Sequence, residues 1–358
     1  MADTHARAAG VPARRRRGGA PGGRCYAALD LGTNNCRLLI ATPSEGGFRV
    51  IEAFSRIVRL GEGLSQTGRL GDAAMERAMA ALRICAEKVK RREVAGIRAV
   101  ATQACRSAEN GRAFVDRVTQ ETGLELKVIS PQEEARLSVA GCVNLLDRTA
   151  DAALVLDVGG GSTELSWLDL RGADGAGPPP VQAWLSMPVG VVSLAERFPE
   201  HRPGEAAWYR AMVDAVKAEL ERFRLADELR PAFEDGRAHL VGTSGAITSL
   251  AGLHLGLKRY DRSKVDGLWL TEGDCAATAE RLLGLSPSAR AAEPCIGPDR
   301  ADLVLAGAAI LQAVQETWPC ERVRVADRGL REGLLLSLMN GRRSGRRRGG
   351  RRRKGEAA

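Results

Sequence analysis

The chain has 358 residues, of which 44% are hydrophobic, and its formal net charge is +9. This length and composition suit one or two globular domains with a large core. The longest apolar run near the end, residues 303–314, is interrupted by Gln312, and residues 1–24 contain no apolar segment typical of a signal peptide. We therefore expect a cytoplasmic protein that makes no membrane contact.

The excess positive charge lies at the two ends of the chain. Residues 1–24 carry six basic residues and one acidic residue, and residues 341–358 carry nine and one, which leaves 38 basic and 42 acidic residues between them. Arg-rich segments with few apolar residues cannot form a core, so both are predicted to be disordered tails. Two interpretations stay open: the tails bind RNA or polyphosphate through salt-sensitive contacts, or they only add solubility.

Cysteine and histidine usage argues against a structural metal site. The eight cysteines form no C-x-x-C pair, and the chain has only four histidines. A zinc site or a disulfide framework is therefore not expected.

The first predicted element is a β-hairpin near the N-terminus. An apolar strand runs from Tyr26 to an aspartate, Asp30, and a turn of small residues follows: Gly32, Thr33, Asn34 and Asn35. Glycine permits close approach of the backbone to a ligand, and successive N–H groups can converge on an anion. The pattern is typical of a phosphate-binding turn, although a plain hairpin has the same composition.

Between this hairpin and the middle of the chain, the pattern predicts a helix through residues 75–89, a strand at 97–101 and a helix at 110–122. The strand ends in a polar loop that contains Arg106. The ends of strands in α/β sheets are where ligands bind, and an arginine there could hold phosphate through two hydrogen bonds. The alternative is that Arg106 is only a surface charge.

The segment Ser130-Pro131-Gln132-Glu133-Glu134 has the pattern of a helix N-terminus. Ser130 is a good N-cap, and Glu133 is spaced to complete a capping box with it. Glu134 lies about 100° further round the helix and is free to point elsewhere. It is either a functional carboxylate or a first-turn acid that faces water.

The strand–Asp–Gly pattern occurs a second time, 127 positions later. The apolar run from Ala153 ends at Asp157, and a glycine turn, two hydroxyls and a carboxylate follow: Gly159, Gly160, Gly161, Ser162, Thr163 and Glu164. Two such hairpins indicate two similar lobes that face one cleft. Asp157 is placed to hold a divalent cation on a bound phosphate, because carboxylates suit Mg²⁺.

A third small-residue turn follows the strand that begins at His239. Thr243, Ser244 and Gly245 lead into an apolar helix, and a helix N-terminus attracts phosphate, although an N-cap has the same appearance. Before it, residues 187–192 are predicted to close the sheet as a strand. After it come a helix at 302–314, a strand at 323–326 and a last helix at 329–339.

These motifs together resemble the exopolyphosphatase/guanosine pentaphosphate phosphohydrolase (Ppx/GppA) family. The matching stretches are residues 29–34, 101–106, 129–136, 157–165, 242–245 and 326–333. The resemblance implies an α/β fold with two actin-like, ribonuclease H-like lobes facing a central cleft. It places the first lobe at residues 25–132 and the second at 133–340, with the last helix packing back on the first lobe.

The resemblance also implies roles for individual residues. Glu134 matches the general base, and Asp157, Glu164 and Asp30 match the surroundings of a Mg²⁺ ion. The phosphate-binding residues would be Gly32, Thr33, Asn34, Asn35, Arg106, Gly159, Gly160, Gly161, Ser162, Thr163, Thr243, Ser244 and Gly245. Asn35 departs from the family pattern, which has a hydroxyl there, and the resemblance ends near Asn340, where longer members continue into C-terminal helical domains.

The expected activity is removal of the terminal phosphate from inorganic polyphosphate. The alternative substrate is guanosine pentaphosphate, and a less favoured interpretation is an ATP-dependent kinase or chaperone of the same fold. A homodimer is expected from the resemblance alone.

Overall fold

The computed structural model describes residues 24–172, 178–200, 204–221 and 226–350, with side chains as far as residue 340. Residues 1–23 and 351–358, and with them most of the predicted RNA-binding tails, lie outside the described residues. The strands are β1 (Tyr26–Leu31), β2 (Asn35–Ser44), β3 (Gly47–Ile57), β4 (Gly96–Ala101), β5 (Leu126–Val128), β6 (Ala152–Val158), β7 (Thr163–Asp169), β8 (Val181–Met187), β9 (Ala238–Thr243), β10 (Trp269–Thr271) and β11 (Arg322–Ala326).

The helices of the described residues account for most of the remaining chain. They are α1 (Leu64–Thr67), α2 (Asp72–Arg91), α3 (Gln103–Ser107), α4 (Gly111–Thr122), α5 (Pro131–Cys142), α6 (Val191–Arg197), α7 (Ala206–Leu220), α8 (Arg230–Glu234), α9 (Gly245–His254), α10 (Arg262–Val265), α11 (Glu272–Leu283), α12 (Pro287–Ala292), α13 (Val304–Thr317) and α14 (Leu330–Gly350). The helices predicted at residues 75–89 and 110–122 correspond to α2 and α4.

Two mixed sheets organise the molecule. The first lobe contains a five-stranded sheet in the order β3-β2-β1-β4-β5, and the second lobe contains a six-stranded sheet in the order β10-β11-β9-β6-β7-β8. In each sheet an antiparallel hairpin, β1–β2 or β6–β7, has a parallel neighbour on its other side, β4 or β9. The predicted α/β fold class is confirmed.

The two hairpins have the same register. Asp30 lies opposite Arg37 in β1–β2, and Asp157 lies opposite Glu164 in β6–β7. In both hairpins the partner is seven residues further along the chain. Both aspartates are therefore at the turn end of a strand, with a parallel strand beside them, at the edge where α/β sheets bind ligands.

Alternating side chains of the first sheet face two separate cores. One face packs Leu29, Leu38 and Ile40 against α2 and α4. The other face packs Tyr26, Ala28 and Leu39 against side chains of α5 and α14, which include Leu137, Leu334 and Leu335. The last helix thus lies on the first lobe, although it follows β11 of the second lobe.

Helices α5 and α14 cross in direct backbone contact. A Cβ on Gly333 would be 2.0 Å from the carbonyl oxygen of Leu137, and a Cβ on Gly141 would be 2.0 Å from that of Gly329. Only glycine at both positions permits this separation, because real Cβ atoms do not approach oxygen so closely. The crossing fixes α5, which carries Glu134, against the start of α14.

Two segments differ from the predicted secondary structure. Of residues 187–192, only Met187 belongs to the sheet, as the last residue of β8, because α6 begins at Val191 and its first N–H groups bond to carbonyl groups of the second glycine turn. Helix α14 continues to Gly350, into the segment predicted to be disordered. Arginine has a high helix propensity, and extending an existing packed helix avoids the cost of nucleation. Within the described residues, none of the helices combines the length and hydrophobicity needed to span a membrane.

Candidate active site

A cleft of about 530 Å³ lies between the two lobes. Its walls come from the β1–β2 turn, the β6–β7 turn, the start of α9, the start of α5 and the β11–α14 loop. The residues predicted to be functional that line it are Asp30, Gly32, Thr33, Asn34, Asn35, Glu134, Asp157, Gly159, Gly160, Ser162, Thr243, Ser244 and Gly245.

The two glycine turns face each other across this cleft at very short range. A Cβ on Gly160 would lie 3.0 Å from the backbone nitrogen of Asn34, and a Cβ on Gly161 would lie 3.1 Å from Oγ1 of Thr33. On its other side the second turn touches the residue before α6, since a Cβ on Gly190 would be 2.5 Å from the carbonyl carbon of Gly160. Side chains larger than hydrogen would separate these elements.

Both turns are closed by the same backbone hydrogen bond. The Gly32 N–H donates to the Asn35 carbonyl (2.8 Å), and the Gly159 N–H donates to the Ser162 carbonyl (2.9 Å). In the second turn, the carbonyls of Gly159 and Gly160 accept from the N–H groups of Val191 and Val192 (3.0 and 2.7 Å). Because the peptide is planar and trans, the N–H groups of Gly160 and Gly161 point away from α6.

Four backbone N–H groups in these turns are without an acceptor. Among the described residues, the N–H groups of Thr33, Asn34, Gly160 and Gly161 donate no hydrogen bond. Unpaired N–H groups that converge from turns form a concavity that binds anions. The side-chain oxygens of Asn34 and Asn35 are also buried without a partner.

Two aspartates lie at the base of the cleft. Asp30 is buried, and burial raises its pKa, while Arg37 and Arg331 act in the opposite direction. Asp157 accepts a hydrogen bond from the hydroxyl of Ser138 on α5. Burial raises the pKa of Asp157 to about 6, although the bond from Ser138 opposes this.

Glu134 also faces the cleft, from the first turn of α5. The residue is 8% exposed, and its Oε2 accepts a hydrogen bond from Nη1 of Arg106 at 3.2 Å. Burial and the charge of Glu164 raise its pKa well above the usual range, and Arg106 partly offsets them. A raised pKa makes an ionised carboxylate a stronger proton acceptor.

The Glu133 side chain does not make the predicted contact with its own helix end. Ser130 does cap α5, since its hydroxyl accepts from the Glu133 N–H (3.2 Å), but the Glu133 carboxylate does not complete a capping box. Its oxygens accept instead from Arg98 (2.9 Å) and Lys127 (3.2 Å). Two cations on neighbouring strands therefore outcompete one backbone N–H for this carboxylate.

Four predicted residues do not line the cleft: Arg106, Gly161, Thr163 and Glu164. The Thr163 hydroxyl donates to the Val189 carbonyl (2.7 Å) and so supports the turn from behind. Glu164 is buried, and its Oε1 accepts from the hydroxyls of Ser162 (2.8 Å) and Ser186 (2.9 Å). Burial raises the pKa of Glu164 to about 7, and the charge of Asp157 adds to this.

The third turn uses its hydroxyls within the protein. The Ser244 hydroxyl accepts from the Ile247 N–H (3.0 Å) as the N-cap of α9, and the Thr243 hydroxyl donates to the Arg328 carbonyl (2.8 Å). The N-cap interpretation therefore holds for the Ser244 side chain. The first N–H groups of α9, on Gly245 and Ala246, have no acceptor among the described residues.

Sequence reasoning missed three cleft arginines. Arg37, Arg300 and Arg331 line the cleft, and none forms an ion pair or side-chain hydrogen bond with the described residues. A Cβ on Gly245 would lie 3.8 Å from Nε of Arg300 and 3.9 Å from Nη2 of Arg37, so both guanidinium groups adjoin the start of α9. The cleft arginines Arg262 and Arg328 differ, because they pair with Asp327 and Asp266.

The carboxylates fit a Mg²⁺ site that is completed by substrate. Asp30 and Asp157 come from opposite lobes, and each raises the pKa of Glu134, so a cation between them would relieve repulsion. Within the described part of the chain there is no group of three or more His, Cys, Asp or Glu side chains that could hold a metal by itself. Mg²⁺ is commonly bound by one or two carboxylates together with water and phosphate oxygens.

Comparison with known proteins decides the family. Residues 39–341 match the Ppx/GppA phosphatase family. The chain belongs to this family. The protein is therefore a phosphatase, and its two-lobed α/β architecture is that of the Ppx/GppA phosphatases.

The Ppx/GppA match extends over whole relatives. The chain is 31% identical to exopolyphosphatase 2 of Mycobacterium tuberculosis over 328 residues, which cover 87% of this chain and 98% of that protein. The crystal structure of an exopolyphosphatase-like protein superposes with a TM-score of 0.77 at 31% identity, covering 89% of this chain and 99% of the other. The Ppx/GppA family member from Aquifex aeolicus superposes with a TM-score of 0.72 at 28% identity, covering 89% and 98%.

Proposed function

We propose that the protein is an exopolyphosphatase that removes the terminal phosphate from inorganic polyphosphate. One observation carries the proposal: the two facing glycine turns, which have unpaired N–H groups, contribute residues to the cleft that also contains Glu134. A phosphate held by both turns would receive hydrogen bonds from both lobes. Phosphoryl transfer depends chiefly on such positioning and charge stabilisation.

The cleft arginines support a substrate longer than one phosphate. Arg37, Arg300 and Arg331 have no carboxylate partner among the described residues, so their charge is available to a ligand. A guanidinium group can form two parallel hydrogen bonds with the oxygens of one phosphate, and it remains charged when partly buried. A linear polyphosphate carries charge along its whole length, and the arginines would hold the part behind its terminal phosphate.

Glu134 is proposed to be the catalytic base. Its Oε2 is held by Arg106, while its Oε1 accepts no hydrogen bond among the described residues. Oε1 can therefore accept a proton from a water molecule beside the terminal phosphate. As the water oxygen bonds to phosphorus, the bond to the bridging oxygen breaks, and orthophosphate leaves. Asp30 and Asp157 would hold Mg²⁺, which neutralises charge on the phosphate oxygens.

Guanosine pentaphosphate is the second candidate substrate. Tyr260 lines the same cleft near the start of α9, and an aromatic ring in this position can stack on a purine base. The two substrates share a linear phosphate end, so both would use the same turns.

Phosphate release separates the candidates. Purified protein is incubated with each substrate in the presence of Mg²⁺, and orthophosphate is measured over time. We expect kcat/KM for polyphosphate to exceed that for guanosine pentaphosphate by about tenfold or more. The opposite ratio would favour the second candidate, and absence of release from both would contradict the proposed function.

A further inference from the structure

Arg106 is directed at the protein rather than at the cleft. Its Nη1 donates to the Ile129 carbonyl (2.8 Å) and to Oε2 of Glu134 (3.2 Å). The residues that line the cleft do not include it, although the sequence predicts that it binds phosphate. Only 22% of its side chain and 11% of the Glu134 side chain are exposed.

The two acceptors of Arg106 lie on either side of the start of α5. Ile129 immediately precedes the N-cap Ser130, and its N–H donates to the Ala101 carbonyl at the end of β4 (3.1 Å). Glu134 lies in the first turn of α5. One guanidinium nitrogen therefore fixes the Glu134 carboxylate relative to the backbone that starts its own helix, and both relative to the sheet of the first lobe.

This geometry leaves the two oxygens of Glu134 in different situations. Oε2 is occupied by Arg106, whereas Oε1 has no hydrogen-bond partner among the described residues. The carboxylate also lies near three other acidic groups, Asp30, Asp157 and Glu164. A fixed cation on Oε2 both selects the orientation of the carboxylate and counters the repulsion from these acids.

We propose that Arg106 is a positioning residue, which orients the Glu134 carboxylate so that Oε1 faces the attacking water, and that it does not bind substrate phosphate. This inference rests on the proposed function of Glu134 as the base. Loss of Arg106 should then lower kcat more than it weakens substrate binding, because Arg106 contacts Glu134 and not the substrate.

The test compares Arg106→Gln with a matched variant, Arg98→Gln. Arg98 pairs with Glu133, the neighbour of Glu134, at 2.9 Å and is 27% exposed, so it controls for loss of an arginine–glutamate pair on the same helix. We expect Arg106→Gln to lower kcat about 100-fold with KM changed less than about threefold, and Arg98→Gln to leave both within about threefold. Arg106→Lys, or added guanidinium ion with Arg106→Gln, should restore part of kcat.

A binding measurement keeps the proposal testable without turnover. Calorimetric titration with tripolyphosphate in the absence of Mg²⁺ should give the same Kd for wild type, Arg106→Gln and Arg106→Lys, provided that their thermal melts show folded protein. If Arg106→Gln instead raises KM or Kd about tenfold while kcat is kept, Arg106 binds phosphate and the proposal is overturned. Absence of phosphate release by the wild type would contradict the proposed function, while the titration would still decide whether Arg106 contacts phosphate.

Discussion

Gly160 lies directly against Asn34. A Cβ atom added to Gly160 would be 3.0 Å from the backbone nitrogen of Asn34. These residues belong to equivalent turns in different lobes. Their contact brings the two turns together at one cleft, so the spacing of the lobes at this point sets the size of the proposed anion site.

Gly160→Ala tests whether this spacing matters for activity. The new methyl group would press on Asn34 and on Cβ of Thr33, also 3.0 Å away, and move the turns apart. We expect kcat/KM to fall about tenfold or more, because small misplacements of substrate-binding groups are costly. Gly47→Ala is the control, since its Cβ would meet nothing within 4 Å. Equal activity of the two variants would contradict the role of the contact.

The crossing of α5 and α14 should govern stability. In Gly333→Ala, the Cβ would be 2.0 Å from the Leu137 carbonyl oxygen, and overpacking of this kind costs about 1–3 kcal/mol or more. Gly273→Ala is the matched control within a helix, because its nearest neighbour would be 3.8 Å away and alanine has the higher helix propensity. Urea unfolding midpoints should fall for Gly333→Ala and be kept or raised for Gly273→Ala. A crossing without energetic importance would give two similar midpoints.

His239 predicts a pH dependence of stability. It is buried on β9, its Nε2 accepts from the Asp147 N–H (3.2 Å), and its neighbours are Trp269, Arg322 and Arg324. Burial lowers its pKa from 6.5 to about 4; the charge of Asp147 opposes this shift, and the two arginines add to it. As the pH falls, this histidine is protonated in the unfolded chain before it is protonated in the folded protein. Its contribution to the free energy of unfolding is therefore kept above pH 6.5 and is lost as the pH falls towards 4, by about 3 kcal/mol in total.

The measurement is the free energy of unfolding at pH 5 and pH 7.5 for wild type and His239→Gln. Glutamine can still accept the Asp147 N–H but does not titrate. The loss of stability on acidification should be smaller in the variant, and the difference isolates His239 from the carboxylates that titrate in the same range. An identical loss in both proteins would show that His239 is not responsible.

Glu134 and its neighbour provide a test of the proposed base. Glu134→Gln keeps the shape of the side chain but cannot accept a proton, so kcat should fall by about 100- to 10,000-fold with little change in tripolyphosphate binding. Glu133→Gln alters a carboxylate that pairs with Arg98 and Lys127 outside the cleft, and its kcat should stay within about threefold of wild type. An inactive Glu133→Gln beside an active Glu134→Gln would reverse the assignment.

The sequence predicts those parts of the fold that depend on local patterns. Both hairpins follow from an apolar run, an aspartate and a glycine turn, and their 127-residue offset anticipates the shared register. Arg37 could have been found by the same comparison, because it occupies in the first hairpin the position of Glu164 in the second. Arg300 and Arg331 could not, since only the tertiary fold brings their segments into the cleft.

Local patterns were misleading where distant groups compete. The S-x-x-E spacing predicts a capping box, yet Glu133 pairs with Arg98 from β4 and Lys127 from β5. Arg106 also has a distant partner that the sequence does not reveal, because the fold places Glu134 within reach of its side chain. The Mg²⁺ site at Asp30, Asp157 and Glu164 stays a prediction.

The most direct test of the proposed phosphate site is a crystal structure of Glu134→Gln with tripolyphosphate and Mg²⁺. We expect terminal phosphate oxygens at about 3 Å from N–H groups of both glycine turns, with residue 134 beside the terminal phosphorus and the rest of the phosphate chain among Arg37, Arg300 and Arg331. A phosphate chain that is bound away from one or both turns, in a cleft that is otherwise unchanged, would contradict it.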